Sequence, residues 1–168
     1  NKRQAIYDLK DSIDRLKRKV NADLSGNNEK DQLTALVVRL IMKTSERVGN
    51  EDSGKEGHLG ITEFTNKCIT VDGDVVLLQY TGKSGVKHEK RVSDEKAAAI
   101  LKQLLKRNAG KVFITENGFC INPSRVNRYL RDFNITSKDI RGYNSNRMMV
   151  MELNRVGFVK EEKDRKKI

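Results

Sequence analysis

A single proline and two cysteines are all that the 168 residues hold of those types, and both scarcities narrow what the chain can be. With Pro123 alone there is no proline-rich linker, and no internal repeat or domain-sized spacer interrupts the sequence. Cys68 and Cys120 lie in apolar, strand-like contexts without metal-ligand spacing, which points to two buried free thiols rather than a disulfide. No apolar run approaches the roughly 20 residues that cross a bilayer, and no signal-peptide pattern is present, so the expectation is a soluble, non-secreted protein. Histidine is scarce too, with only His58 and His88. What remains is long enough for one domain with its own core. Acidic residues are outnumbered, 23 against 34 Lys and Arg, for a net charge of +11. Such an excess can be a solvated face or the footprint of a polyanionic partner. The arrangement of the cations has to decide.

Ile6, Leu9, Ile13, Leu16 and Val20 recur at helical spacing, which predicts an amphipathic helix up to the break at Ser25-Gly26-Asn27-Asn28. Leu33, Leu36, Val37, Leu40 and Ile41 form the stripe of a second helix. Arg47 lies in heptad register with Leu33 and Leu40, so it continues that stripe. The expectation is an inward-aimed charge at a helix end that needs an anionic partner, Glu51 or Asp52, and a simple ion pair is the alternative use for it. The stretch from Asn50 to Gly60 reads as a loop. Cys68 to Val71 and Val75 to Leu78 flank Asp72-Gly73, a turn dipeptide suited to positive φ. Gly82-Lys83-Ser84-Gly85 closes a second hairpin back through Val86 to Val92, placing Lys83 at a tip. Ala97, Ile100, Leu101, Leu104 and Leu105 define a third helix with Ser93 as its cap. Val112-Phe113-Ile114 is a short apolar segment ending at Asn117-Gly118. Pro123 suits the first position of a helix carrying Val126, Tyr129, Leu130 and Phe133. Thr136 and Asp139 have capping-box spacing before the next helix. There Arg141 shares a face with Met148 and Met151, methionines expected in a core. The predicted class is α+β, mainly helical with a small three-stranded antiparallel sheet. It spans residues 1–159, with 160–168 a charged tail or interrupted helix.

The cations are organised. Arg47 in Arg47-Val48-Gly49-Asn50, Lys83 in its hairpin and Arg141 in Lys138-Asp139-Ile140-Arg141 each stand at the end of an element. That is the set a site needs to hold one phosphodiester without a metal. Guanidinium forks pin non-bridging oxygens, and a lysine on a mobile stem can hand a proton to a leaving oxygen.

These segments resemble the type IB DNA topoisomerases, both poxvirus-like and eukaryotic nuclear. Asn50-Glu51, Gly60-Ile61-Thr62 and Gly82-Lys83 through His88-Glu89 read like the family. Lys138-Asp139-Ile140-Arg141-Gly142-Tyr143-Asn144 resembles its second arginine motif, with Gly142 in place of the usual Thr. The likeness runs from about Asn1 to about Val159 and corresponds to the first part of the family's catalytic domain. It implies the DNA breaking-rejoining fold and relaxation of supercoiled double-stranded DNA. In the family a tyrosine attacks a phosphodiester, leaving a 3′-phosphotyrosyl link and a free 5′-hydroxyl that later attacks back. The link conserves bond energy, so neither ATP nor a metal is implied. Arg47 and Arg141 would neutralise the transition state, and Lys83 would protonate the departing 5′-oxygen from a hairpin thin enough to enter a DNA groove. Lys138 and Asn146 match positions near the scissile phosphate. Asn50, Lys55, Ser84, Ser124 and Arg125 are expected backbone contacts, with a place as ordinary solvated residues as the alternative. The implied compartment holds DNA: a nucleus, a viral replication site or a virion.

The resemblance also implies a histidine and a nucleophilic tyrosine beyond the second arginine motif. After Arg141 the chain has no histidine and only Tyr143 as tyrosine. On a helix Arg141 and Tyr143 point about 200° apart, so Tyr143 matches the motif's aromatic rather than its nucleophile. The expectation is a truncated catalytic domain, or one polypeptide of a split enzyme, that binds DNA and does not cleave it alone. A missing C-terminal segment or second polypeptide would supply the histidine and tyrosine, and the expectation is that the family's N-terminal clamp domain is lacking as well. Two rivals stand beside this. Tyrosine site-specific recombinases share the fold but usually carry His-x-x-Arg where this chain has Lys138. A non-catalytic duplex-DNA-binding module would need the charge but not this ordered set.

Overall fold

The computed structural model describes residues 2–49, 59–81 and 85–145. The hairpin tip at Lys83, most of the loop from Asn50, Met148, Met151 and the 160–168 tail lie outside them.

Helix α1 (Lys2–Leu24) and helix α2 (Glu29–Thr44) form a helical hairpin across the expected break. Ile13, Leu16, Val20 and Leu24 make the buried face of α1. Asn28 starts α2, its side chain accepting from the Asp31 N–H, one of the donors a helix start leaves unpaired. α2 is buried from Leu33 to Val38 and again at Leu40 and Ile41. It touches α1 and every layer that follows, which is why its apolar residues run around it rather than along one stripe.

The sheet is antiparallel in the order β1 (Ile69–Asp72), β2 (Val75–Thr81), β3 (Lys87–Ser93). Gly73, at φ +60°, makes the first turn, a conformation that costs glycine little. Val76, Leu78 and Val92 point into the core against α3 (Glu95–Arg107). The expected cap of α3 is corrected by one residue. Ser93 remains in β3, and Asp94 accepts the Ala97 N–H. The carboxylate of Asp94 is fixed there because it also pairs with Arg39 and Lys43 of α2.

α4 (Pro123–Arg131) has Pro123 in its first turn and Asn122 as cap. The reciprocal bonds Thr136 N–H to Asp139 Oδ2 (2.9 Å) and Asp139 N–H to Thr136 Oγ1 (3.1 Å) open the last described helix, α5, at residues 137–145. Both cysteines are free, but only Cys68 is buried; Cys120, in a bridge with Ile114 beside the 116–117 turn, is partly exposed. The described residues thus form an α+β fold, mainly helical around one small antiparallel sheet.

Candidate functional site

α2 stops at Thr44 because Ser45 turns left-handed, at φ 60°, while its N–H still bonds the Ile41 carbonyl at 2.8 Å. The chain then alternates: Glu46 is 2% exposed, Arg47 is exposed, and Val48 is 6% exposed. Arg47 is therefore off the helix and faces outward, not inward at the end of the α2 stripe. The heptad count ran through a left-handed residue that resets the direction of every side chain after it. Among the described residues the Arg47 guanidinium has no ion-pair or hydrogen-bond partner; Glu51 and Asp52 lie outside them.

The segment bearing Arg47 is held from both sides. Beneath it, the Tyr80 hydroxyl of β2 donates to Glu46 Oε2 at 2.7 Å, and Lys90 Nζ of β3 lies 2.9 Å from Glu46 Oε1. The Lys90 contact is ionic, without a directed hydrogen bond to Oε1. Lys90 also donates to the Thr44 carbonyl at 3.0 Å, satisfying an acceptor at the helix end. Burial and the bond to Glu46 push the Tyr80 phenol well above its ordinary pKa. Above the segment, the Ile61 N–H donates to the Arg47 carbonyl at 2.8 Å and Thr62 Oγ1 to the Val48 carbonyl at 2.7 Å. Gly49, at φ +101°, crosses Gly60 so closely that a Cβ on Gly60 would sit 2.1 Å from Gly49 Cα.

α5 reaches the same place. Asn144 Nδ2 donates to the Met42 carbonyl and to Ser45 Oγ, both at 2.9 Å. One turn earlier Arg141, half-buried, lines an open groove of about 680 Å³ with Leu9 of α1, Lys138, Asp139 and Tyr143. The Asp139 carboxylate accepts the Thr136 N–H in the helix cap, and Lys138 and Arg141 are the cations that line the groove beside it. Tyr143 is half-buried against the core.

The elements carrying Arg47 and Arg141 thus converge on residues 42–46, together with the β2–β3 hairpin through Tyr80 and Lys90. Lys83, Ser84, Asn50, Lys55 and Asn146 lie outside the described residues. Ser124 and Arg125 are elsewhere. Arg125 pairs with Asp31 at 3.0 Å and donates to Thr34 at 3.0 Å, near the start of α2, roughly 20 Å along the helix from its exit. Ser124 is exposed beside it. Sequence reasoning missed Glu46, Tyr80, Lys90 and Asn144; only adjacency to Arg47 and Arg141 marked two of them. Among the described residues no group of His, Cys, Asp or Glu is arranged to hold a metal, and no helix is long and apolar enough to cross a membrane.

Residues 1–168 match the family described as "Eukaryotic DNA topoisomerase I, catalytic core". The "DNA topoisomerase 1B" of Acanthamoeba polyphaga mimivirus is 24% identical over 164 residues, covering 88% of this chain and 48% of that protein. The chain spans about half the length of that relative.

Proposed function

The chain belongs to the eukaryotic DNA topoisomerase I catalytic-core family, and on that premise we propose that it grips duplex DNA around one phosphodiester and supplies the cations of a type IB strand-passage reaction. The convergence of the Arg47 segment, the Arg141 helix and the β2–β3 hairpin on the α2 exit carries this reading. An exposed guanidinium that has no ion-pair or hydrogen-bond partner among the described residues and a second one lining an open groove are offered to the non-bridging oxygens of a phosphate. Lys83, just past β2 in the chain, is the general acid. A tyrosine hydroxyl attacks phosphorus, its proton leaving to a base; the phosphorus–5′-oxygen bond breaks, and Lys83 protonates that oxygen. Attack by the 5′-hydroxyl reverses each transfer, so the exchange needs neither ATP nor a metal.

The tyrosine and a histidine come from another segment or a second polypeptide, since Tyr143 packs against the core. Lys138 and Asn146 support the scissile phosphate, and Asn50, Lys55, Ser84 and Ser124 contact flanking backbone. Arg125 contributes there only the N–H groups that Asp31 and Thr34 leave free. The reaction places the protein in a compartment that holds DNA.

Two measurements test the reading. The first is duplex binding against salt for the chain and its Arg47→Ala, Lys83→Ala and Arg141→Ala variants. Each substitution should lower the slope of log K against log salt by about one. The second is relaxation of a supercoiled plasmid without magnesium or ATP, with an SDS trap. This chain should yield no covalent adduct, and adding a tyrosine-bearing segment should restore cleavage only with Lys83 intact. Salt-insensitive binding would overturn the whole reading, whereas an adduct from this chain alone would overturn the need for a second tyrosine source and make Tyr143 the first residue to substitute.

A further inference from the structure

We infer that Asn144 is a positioning residue: by holding α5 to the exit of α2, it sets the placement of Arg141 relative to Arg47 and so decides whether both can engage one phosphodiester. This rests on the proposed phosphate-binding role of those two arginines.

Asn144 donates both of its carboxamide hydrogens to one short stretch, at 2.9 Å to the Met42 carbonyl and 2.9 Å to Ser45 Oγ. Met42 sits in the last turn of α2, where carbonyls have no partner within the helix. Ser45 is the left-handed residue at which the chain leaves the helix axis. Arg47 follows two residues later, and Arg141 precedes Asn144 by one helical turn. A carboxamide presents its two N–H groups in a fixed planar fork. Satisfying two acceptors with that fork fixes both the distance and the rotation of α5 against the pivot. A hydroxyl at position 144 has one donor and would fix neither.

The other side of the pivot is already fixed, by Lys90 on the Thr44 carbonyl and by Tyr80 and Lys90 on Glu46. Asn144 is thus the polar tie that α5 adds to a frame the sheet holds. Two long guanidinium side chains can share one phosphate only if their backbones are placed closely, since a misplacement of about 1 Å can cost on the order of a hundredfold in rate.

Asn144 is uncharged, which makes the test clean. Replacing it changes no charge, so a change in the salt slope of DNA binding reports whether the arginines still reach their phosphate. A structural role alone would lower the folded fraction, and once the affinity is corrected for the folded fraction measured at each salt concentration it leaves the slope alone. The experiment uses the chain with a fluorescent duplex oligonucleotide, read by anisotropy across a salt series. Wild type, Asn144→Ala, Arg47→Ala, Arg141→Ala and Asn144→Ala/Arg47→Ala are compared, with thermal melts confirming that each is folded. Asn144→Ala should lower the slope toward that of a single arginine variant. Arg47→Ala should then cost at least roughly threefold less affinity in the Asn144→Ala background than alone. Ser45→Ala removes only one of the two acceptors and should give a smaller change of the same sign; it carries the cycle if Asn144→Ala does not fold. If Arg47→Ala and Arg141→Ala each lower the slope while the Asn144 and Ser45 variants leave it unchanged and combine additively, the inference is wrong and the proposed function stands. If neither arginine variant changes the slope, the proposed function fails and takes the inference with it.

Discussion

Tyr80 and Glu46, separated by 34 positions in the chain, share a 2.7 Å hydrogen bond directly beneath the segment that turns Arg47 outward. The carboxylate is 2% exposed, so its charge rests on Tyr80 and Lys90 rather than on water. Tyr80→Phe should therefore remove more than one average hydrogen bond. It leaves Glu46 Oε2 without a donor in a dry site, a loss of about 1–3 kcal/mol, to be read from the midpoint of urea unfolding at unchanged m-value. An unchanged midpoint would show that water reaches Glu46 after all.

Alkaline pH should expose two phenols. Tyr129, whose hydroxyl donates to Asp23 at 2.7 Å, is pushed up like Tyr80 by burial first and by its carboxylate partner second. In both cases the folded pKa lies above the unfolded value of 10.0. The sign follows: the stabilisation is fully present below pH 10 and is lost above it, as the unfolded chain releases phenolic protons that the fold retains. Stability measured from pH 9 to 11 should fall less steeply in Tyr80→Phe/Tyr129→Phe than in wild type. Parallel profiles would count against it.

Acid should act through Asp94. Burial alone would raise its pKa, but hydrogen bonds from Arg39 and Lys43, and from the Ala97 N–H, outweigh burial and hold it below the usual value of 3.8. Its contribution is present above that value and is lost as pH falls through the depressed folded pKa. Asp94→Ala removes the cap of α3 and leaves Arg39 without its buried partner, for a cost of about 3 kcal/mol. Asp94→Asn keeps a capping oxygen and should cost less. Equal losses from the two would mean that the capping bond contributes nothing and that the ion pairs carry the whole effect.

Two glycines should respond oppositely. A Cβ on Gly60 would meet Gly49 Cα at 2.1 Å, and backbone cannot step aside as a side chain can. Gly60→Ala should destabilise by more than about 3 kcal/mol, or prevent folding. A Cβ on Gly142, within α5, meets nothing within 4 Å. Gly142→Ala should stabilise by about 0.5–1 kcal/mol, read as a raised melting temperature.

Much of this frame was legible in the sequence because its signals are local. The stripe Ile13, Leu16, Val20 is the buried face of α1, and Thr136 and Asp139 exchange the two bonds their spacing promised; the first hairpin turns one position later than the dipeptide Asp72-Gly73 implies, because Asp72 pairs with Val75 and leaves Gly73-Asp74 as the loop. The misreadings have a common cause, which is tertiary contact. Ser93 and Asp94 are both good caps, and the choice fell to cations of α2, 55 positions away in the case of Arg39. The end of α2 carries no glycine or proline to announce it, so heptad counting ran on to Arg47. For the site, the order of the cations could be read, but the ties made by Glu46, Tyr80, Lys90 and Asn144 could not. Those bonds join residues 34 to 102 positions apart, far beyond the reach of any helical or strand periodicity.

The crossing of Gly49 over Gly60 has a consequence for how this site tolerates change. Because the two backbones are pinned to each other, with Ile61 and Thr62 bonded to Arg47 and Val48, the place of Arg47 is set at the crossing and not by the length of chain that joins its two sides. Lengthening a connection whose two ends are fixed is entropically cheap, about 0.6 kcal/mol for each doubling. Residues inserted between positions 50 and 58 would therefore leave the carrier of Arg47 where it is.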